Sequence, residues 1–197
     1  MYKKTIIRYL QSFIALPLLA MNLQVLPVIT PASIANTYIT QVNTEEISNL
    51  DIEKAKTLEL AAKKIDAYYK YHNMPLEGYG QKLVTEADKN GIDLYLIAAI
   101  SVQESTGGRH ACKKVKNSHF GYGSCKINFE STDKEIELVS ASLGGNNENT
   151  AKHYEDKTTK EILQKYNPDR IHPGYWKEVM AKMEKIKAQE IPVKANI

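Results

Sequence analysis

The run Leu94-Tyr95-Leu96-Ile97-Ala98-Ala99-Ile100-Ser101-Val102-Gln103 is helix-compatible and apolar on every side, so it has no face to show to water. A helix without a polar face belongs inside a protein, wrapped by other elements. Asp93 supplies a cap at its start and Thr106-Gly107-Gly108 breaks it. The rest of the chain offers the wrapping. Leu58, Ala61, Ala62, Ile65, Tyr68 and Tyr69 form one stripe of a helix capped by Asp51 and ended by Asn73-Met74-Pro75. Tyr71 and Tyr79 read as further packing residues of that region. A short helix follows over Gly80 to Asn90, with Leu83, Val84 and Ala87 on one face and Gly91 as its stop. Thr132 with Glu135 is a capping box opening a helix along Ile136, Val139 and Leu143, and Thr158 with Glu161 repeats the device before Ile162 and Leu163. Pro173 suits the first turn of a last helix carrying Tyr175, Val179, Met180, Met183 and Ile186. Residues 109–130, rich in aromatic residues and Gly, read as a loop with a short β-hairpin. The expected class is α+β, mostly α, with a buried central helix and one small β-element.

This domain occupies about 51–190 of 197 residues, leaving an N-terminal extension and a 191–197 tail. Residues 1–35 read as an export signal: Lys3, Lys4 and Arg8 precede the apolar run Phe13–Met21, and Ser33-Ile34-Ala35 offers small residues at a cleavage site. A retained membrane anchor is the competing reading, because no charge appears from Tyr9 to Thr44, although Pro17, Pro27 and Pro31 interrupt the span. Both place the body outside the cytoplasm. Residues 36–50 lack sustained periodicity and read as a linker. The chain carries 26 Lys plus Arg against 23 Asp plus Glu. Three of those bases lie in the signal, so the body is neutral as a whole, which argues against nucleic-acid binding driven by bulk charge.

Glu104 closes the buried helix and is the only acid between Asp93 and Glu130. A carboxylate at the negative end of a helix dipole is disfavoured. Apolar surroundings disfavour its charged form further, so both effects push its pKa upward. A carboxylic acid still protonated near neutral pH is what a glycosidase needs to protonate a leaving oxygen. The plainer reading is a helix-end acid that reaches water or pairs with Arg109 or a lysine.

Val102-Gln103-Glu104-Ser105, then Gly107-Gly108, then Asn117-Ser118-His119-Phe120-Gly121-Tyr122 resemble the active-site region of lysozyme-like peptidoglycan hydrolases. The likeness is nearest to the endo-β-N-acetylglucosaminidases of glycoside hydrolase family 73. Phe129-Glu130-Ser131-Thr132-Asp133, with Ile136 and Val139, is similar to that family's helix entry, and Tyr166-Asn167-Pro168 with Tyr175 and Val179 to its closing helix. The resemblance covers roughly residues 80–188. It implies a lysozyme-like fold and a secreted enzyme cutting β-1,4 bonds between amino sugars, with Glu104 as general acid and peptidoglycan strands as partner. Lytic transglycosylases share the Gln-Glu-Ser helix end. They continue into a Gly-Leu-Met-Gln turn where this chain has His119-Phe120-Gly121-Tyr122. A non-catalytic glycan-binding relative is a further alternative.

A two-carboxylate mechanism needs a second acid, about 5–5.5 Å away for a retaining nucleophile or 6.5–9.5 Å for an inverting base. Glu130 is the candidate. Asp133, in the first turn of a capped helix, suits a structural role, and substrate-assisted chemistry would need neither acid. For the sugar itself, Tyr122 and Tyr175 offer aromatic faces, and Asn117 and Phe120 shape the turn beside them. Cys112 and Cys125 read as a disulfide in an oxidising compartment. Zinc held by His110, Cys112, His119 and Cys125 is the competing reading. Lys113, Lys114 and Lys116 on the same loop read as a solvated charged face, or as an attractor for an anionic wall polymer. The spacing of His72, His153 and His172 suggests no metal site. No cofactor is expected, no nucleic-acid partner, contact with a membrane only through an uncleaved anchor, and a monomer.

Overall fold

A computed structural model describes residues 31–192, with side chains from Asn49 onward. Its described residues form seven α-helices: α1 Pro31–Tyr71, α2 Gly80–Lys89, α3 Leu96–Ser105, α4 Thr132–Leu143, α5 Ala151–Tyr154, α6 Thr159–Tyr166 and α7 Tyr175–Lys187. The chain divides at Glu45/Glu46 into two units, and the core lies in the second. Its centre is α3, as an all-apolar helix requires: Leu96, Ile97, Ala98, Ala99, Ile100 and Ser101 are fully enclosed. Helix α7 packs along α3, α2 and α4 lie against it and against each other, and α6 packs on α7. The later turns of α1 contribute Ala61, Ala62, Ile65 and Tyr69 to the same core. There the Tyr69 hydroxyl meets Ser101 Oγ at 2.8 Å, so the one polar side chain buried mid-way in α3 has a partner. Tyr71 departs from the packing expectation, since it is 74% exposed at the end of α1.

Several boundaries follow the local chemistry. Asp93 Oδ1 accepts from the Tyr95 amide at 2.9 Å at the entry to α3. Thr106 ends that helix in the left-handed region at φ 54°. Thr158 and Glu161 form a reciprocal capping box on α6. The other box differs from expectation. The N-cap of α4 is Ser131, whose hydroxyl accepts from the Lys134 amide at 3.2 Å, and Glu135 turns inward instead of back to its own helix start. Helix α7 begins at Tyr175, after Gly174, so Pro173 stands just ahead of it.

Two expectations are corrected. The linker at 36–50 is helical, because α1 runs through it and Asp51 lies inside the helix. Residues 49–57 are exposed on every side, so this stretch of α1 buries no stripe and carries no periodicity to read. The hairpin is absent: the described residues contain no strand, and 109–130 is irregular apart from a 3₁₀ turn at Tyr122–Cys125. Asn117, Gly121, Gly123, Ser124 and Cys125 all have positive φ, which an extended ladder does not accommodate. Isolated bonds hold the segment instead, among them Phe129 N–H to Lys116 O at 3.1 Å and Cys112 N–H to Ser118 O at 3.1 Å. Residues 1–30 of the proposed signal and 193–197 of the tail lie outside the described residues. No described helix is long and apolar enough to cross a membrane.

Candidate active site

Glu104 sits on the last turn of α3, half-buried, where the chain reverses through Thr106 and Gly107. The next residue, Ser105, ties this reversal to the turn at 117–122. Its hydroxyl donates to the His119 carbonyl at 2.6 Å and accepts from the Gly108 amide at 2.8 Å. From the other side comes Glu135 of α4, which is fully buried. One of its oxygens accepts from the His119 amide at 2.7 Å and the Phe120 amide at 3.2 Å, the other from His119 Nδ1 at 2.7 Å. The Tyr166 hydroxyl, from α6, donates to the Phe120 carbonyl. Three elements thus pin the peptides at 119–120.

The consequence is a close approach. Gly121 follows in the left-handed conformation, φ 66°, and a Cβ there would lie 2.7 Å from Glu104 Oε2. Only glycine lets the main chain pass so close to the carboxyl without moving it. On the opposite side the Tyr175 hydroxyl donates to Glu104 Oε1 at 2.6 Å. The Tyr175 ring stacks on Tyr166 with centroids 6.1 Å apart, and His172 meets it edge-on at 5.5 Å.

Burial raises the Glu104 pKa above the usual carboxylate value. The Tyr175 hydrogen bond and the positive charge of His172 oppose that shift without overcoming it. The Tyr175 hydroxyl is itself pushed up, by burial first and then by the neighbouring carboxylate, so it stays a donor. A second acid belongs to the same network. Glu178 of α7 accepts from Gln103 Nε2 at 2.7 Å and faces His172 Nε2 at 3.3 Å, and these two contacts hold its carboxyl below the ordinary value.

The structure gathers Glu104, Phe120 and Tyr175 at one place. The Tyr175 ring is only 1% exposed, so it offers its hydroxyl to Glu104 rather than an open face to a sugar. Phe120 is fully buried behind the turn. Asn117 spends its side-chain amide on the Phe129 carbonyl at 3.0 Å. Tyr122 is half-buried, with its hydroxyl 3.0 Å from Ser142 Oγ. Glu130 is exposed and lines a cleft of about 690 Å³ between α2 and α4, with Asn90, Phe129, Lys134 and Asn146; Glu104 is not among its walls. Asp133 lies exposed in the first turn of α4. Cys112 and Cys125 form a disulfide, Cα atoms 5.9 Å apart, which removes both thiolates from the zinc reading.

Glu135 and His172 escaped the sequence reading. The first matched a capping box equally well, and the second shows its role only once α7 brings Tyr175 to Glu104. Set beside protein-family profiles, curated proteins and solved structures, the chain matches none of them.

Proposed function

We propose that the protein is an exported glycosidase of peptidoglycan, cleaving β-1,4 bonds between amino sugars as the endo-β-N-acetylglucosaminidases do, with Glu104 as general acid. The observation that carries this reading is a half-buried helix-end carboxyl whose burial favours the protonated form and whose one oxygen is fixed by a tyrosine hydroxyl. Because Oε1 accepts from Tyr175, the transferable proton resides on Oε2, the oxygen beside Gly121. Protonating the glycosidic oxygen from that atom makes the leaving sugar neutral as its bond breaks. The lysozyme-like arrangement, the glycan strand as partner and the half-buried ring of Tyr122 as a sugar platform belong to the same proposal. The disulfide is compatible with a location outside the cytoplasm.

Glu130, on a cleft that Glu104 does not line, is poorly placed for a second catalytic role. A single acid with substrate assistance from an N-acetyl group suits this site better than a two-carboxylate pair. Because one carboxyl serves, a lytic transglycosylase outcome is the second reading. Mass spectrometry of muropeptides released from purified cell wall separates them. A reducing N-acetylglucosamine end is the expected product, and an anhydro-muramic end assigns the transglycosylase. Products that persist unchanged with Glu104→Gln, or none with the wild type on any wall chemotype, overturn the proposal.

A further inference from the structure

Residues 105–129 contain Arg109, Lys113, Lys114, Lys116 and Lys126 and no Asp or Glu, which leaves 21 of the 26 bases to face all 23 acids elsewhere. A chain whose body is neutral overall is therefore locally polarised, with its positive charge collected on one loop. The Arg109 guanidinium is engaged, donating to the carbonyls of His72 at 2.6 Å and Asn73 at 2.9 Å beyond the end of α1. The four lysines are not. All are exposed, and among the described residues none of them enters an ion pair, whereas Lys54, Lys63, Lys82, Lys134 and Lys187 each have a carboxylate partner.

Lys126 directly follows Cys125, and the other three lysines lie on a closed loop. The Cys112–Cys125 bond joins its ends, and Lys116 is fastened at both backbone groups, its amide to Asn128 Oδ1 at 2.9 Å and its carbonyl to the Phe129 amide at 3.1 Å. The like charges gathered at this loop have no carboxylate partner among the described residues, and a polyanion supplies the opposite charge. Lysine ammonium groups are compact point charges suited to phosphate. The loop offers no succession of aromatic faces on which neighbouring bases could stack, since Phe120 and Phe129 are buried and Tyr122 is left alone.

We infer that this disulfide-closed loop is an anchoring surface for an anionic phosphodiester polymer of the kind found outside the cytoplasm, holding the protein on its substrate matrix independently of the chemistry at Glu104. The inference goes beyond the proposed glycosidase activity and is read by binding alone, so loss of hydrolysis leaves it standing.

The test is equilibrium binding of the full, oxidised chain to poly(glycerol phosphate) across a salt series. Flexible single-stranded polyanions give a log–log slope of about −0.7 per phosphate neutralised, so four lysines predict a slope of about −3. The combined variant Lys113→Gln, Lys114→Gln, Lys116→Gln and Lys126→Gln is expected to bind at least tenfold more weakly at low salt, with the slope flattened towards zero. The same four positions changed to Arg retain binding, which separates charge from any loss of fold. The Gln variant binding as tightly as wild type overturns the inference. Tighter binding to duplex DNA than to poly(glycerol phosphate), at equal phosphate, overturns it too and assigns the surface to nucleic acid.

Discussion

Two helix ends deliver a carboxyl to the same turn, and they treat it in opposite ways. Glu135 enters from the first turn of α4, where the helix dipole favours a negative charge. It is fully buried, and the His119 amide, the His119 ring and the Phe120 amide all point at it. Glu104 arrives from the last turn of α3, the unfavourable end of a dipole, with apolar burial around it and the Tyr175 hydroxyl as its donor. Each is a glutamate within reach of residues 119–121. One is surrounded by donors and holds the turn in place; the other is short of them and retains a tendency to keep its proton. A carboxyl does structural work where its hydrogen-bonding capacity is filled and chemical work where it is left wanting.

Exchanging each group in turn tests that contrast. Glu104→Gln keeps the shape and removes the proton, so muropeptide release is expected to fall by about 10²–10⁴-fold, the usual contribution of a general acid. Its fold should survive. A carboxyl with a raised folded pKa stabilises the protein below its unfolded value, near 4.5, and that contribution is lost as pH rises through the folded pKa. The Gln variant should therefore melt at or slightly above wild type at neutral pH and lose that advantage in acid. Glu135→Ala should do the reverse. Removing one partner of a buried, hydrogen-bonded pair costs about 3–5 kcal/mol, and urea unfolding should show a loss of that size. A Glu135→Ala protein as stable as wild type, or a Glu104→Gln protein that unfolds, breaks the comparison.

The same pair marks the limit of what the chain reveals before it is folded. The central helix was legible because no polar face exists in Leu94–Val102, and α2 because Gly91 closes its apolar stripe. Glu104 stood out as a lone acid at the end of that helix. Glu135 did not, since Thr132-x-x-Glu135 and Thr158-x-x-Glu161 are the same local pattern. Only the second is a capping box; the first is overruled by donors of the 119–120 peptides, which lie far away in sequence. The missing hairpin has a similar cause. Gly121 and Gly123 advertise positive φ, whereas Asn117, Ser124 and Cys125 adopt it under the constraint of the closed loop. The stretch of α1 at 49–57 was illegible for the opposite reason: exposed on all sides, it leaves no periodic imprint.

A smaller effect is expected at Tyr175, the donor that Glu104 does have. Tyr175→Phe preserves the stacked ring and removes the hydrogen bond at 2.6 Å. That bond favours the ionised carboxylate, so its loss raises the Glu104 pKa further. The alkaline limb of the pH–rate profile, set by ionisation of the acid, should move to higher pH. At the optimum, the rate should drop about tenfold because the carboxyl is no longer held in one orientation. A limb moving to lower pH would show that Tyr175 acts on Glu104 in some other way.

The smallest effect belongs to His172, and it tests whether Glu104 and Glu178 form one electrostatic unit. His172 faces Glu178 at 3.3 Å and meets the Tyr175 ring at 5.5 Å. It pulls both carboxyls downward, at Glu178 first through its hydrogen bond and further by its charge, and at Glu104 by its charge as the last of the causes. Gln103 and Lys182 also act on Glu178, so that carboxyl keeps part of its stabilisation when the histidine goes. In His172→Gln both pKa values should rise, Glu178 by more than Glu104, as followed by NMR of the side-chain carboxyl carbons against pH. The alkaline limb of activity should move upward by less than in Tyr175→Phe. Movement at Glu178 with none at Glu104 would confine His172 to fastening α7 and leave Tyr175 as the tuning contact of the acid. Equal movement at both would show that the two carboxyls titrate as a pair through the histidine, and that the contrast between a filled and an unfilled carboxyl has to include the solvent-exposed acid beside it.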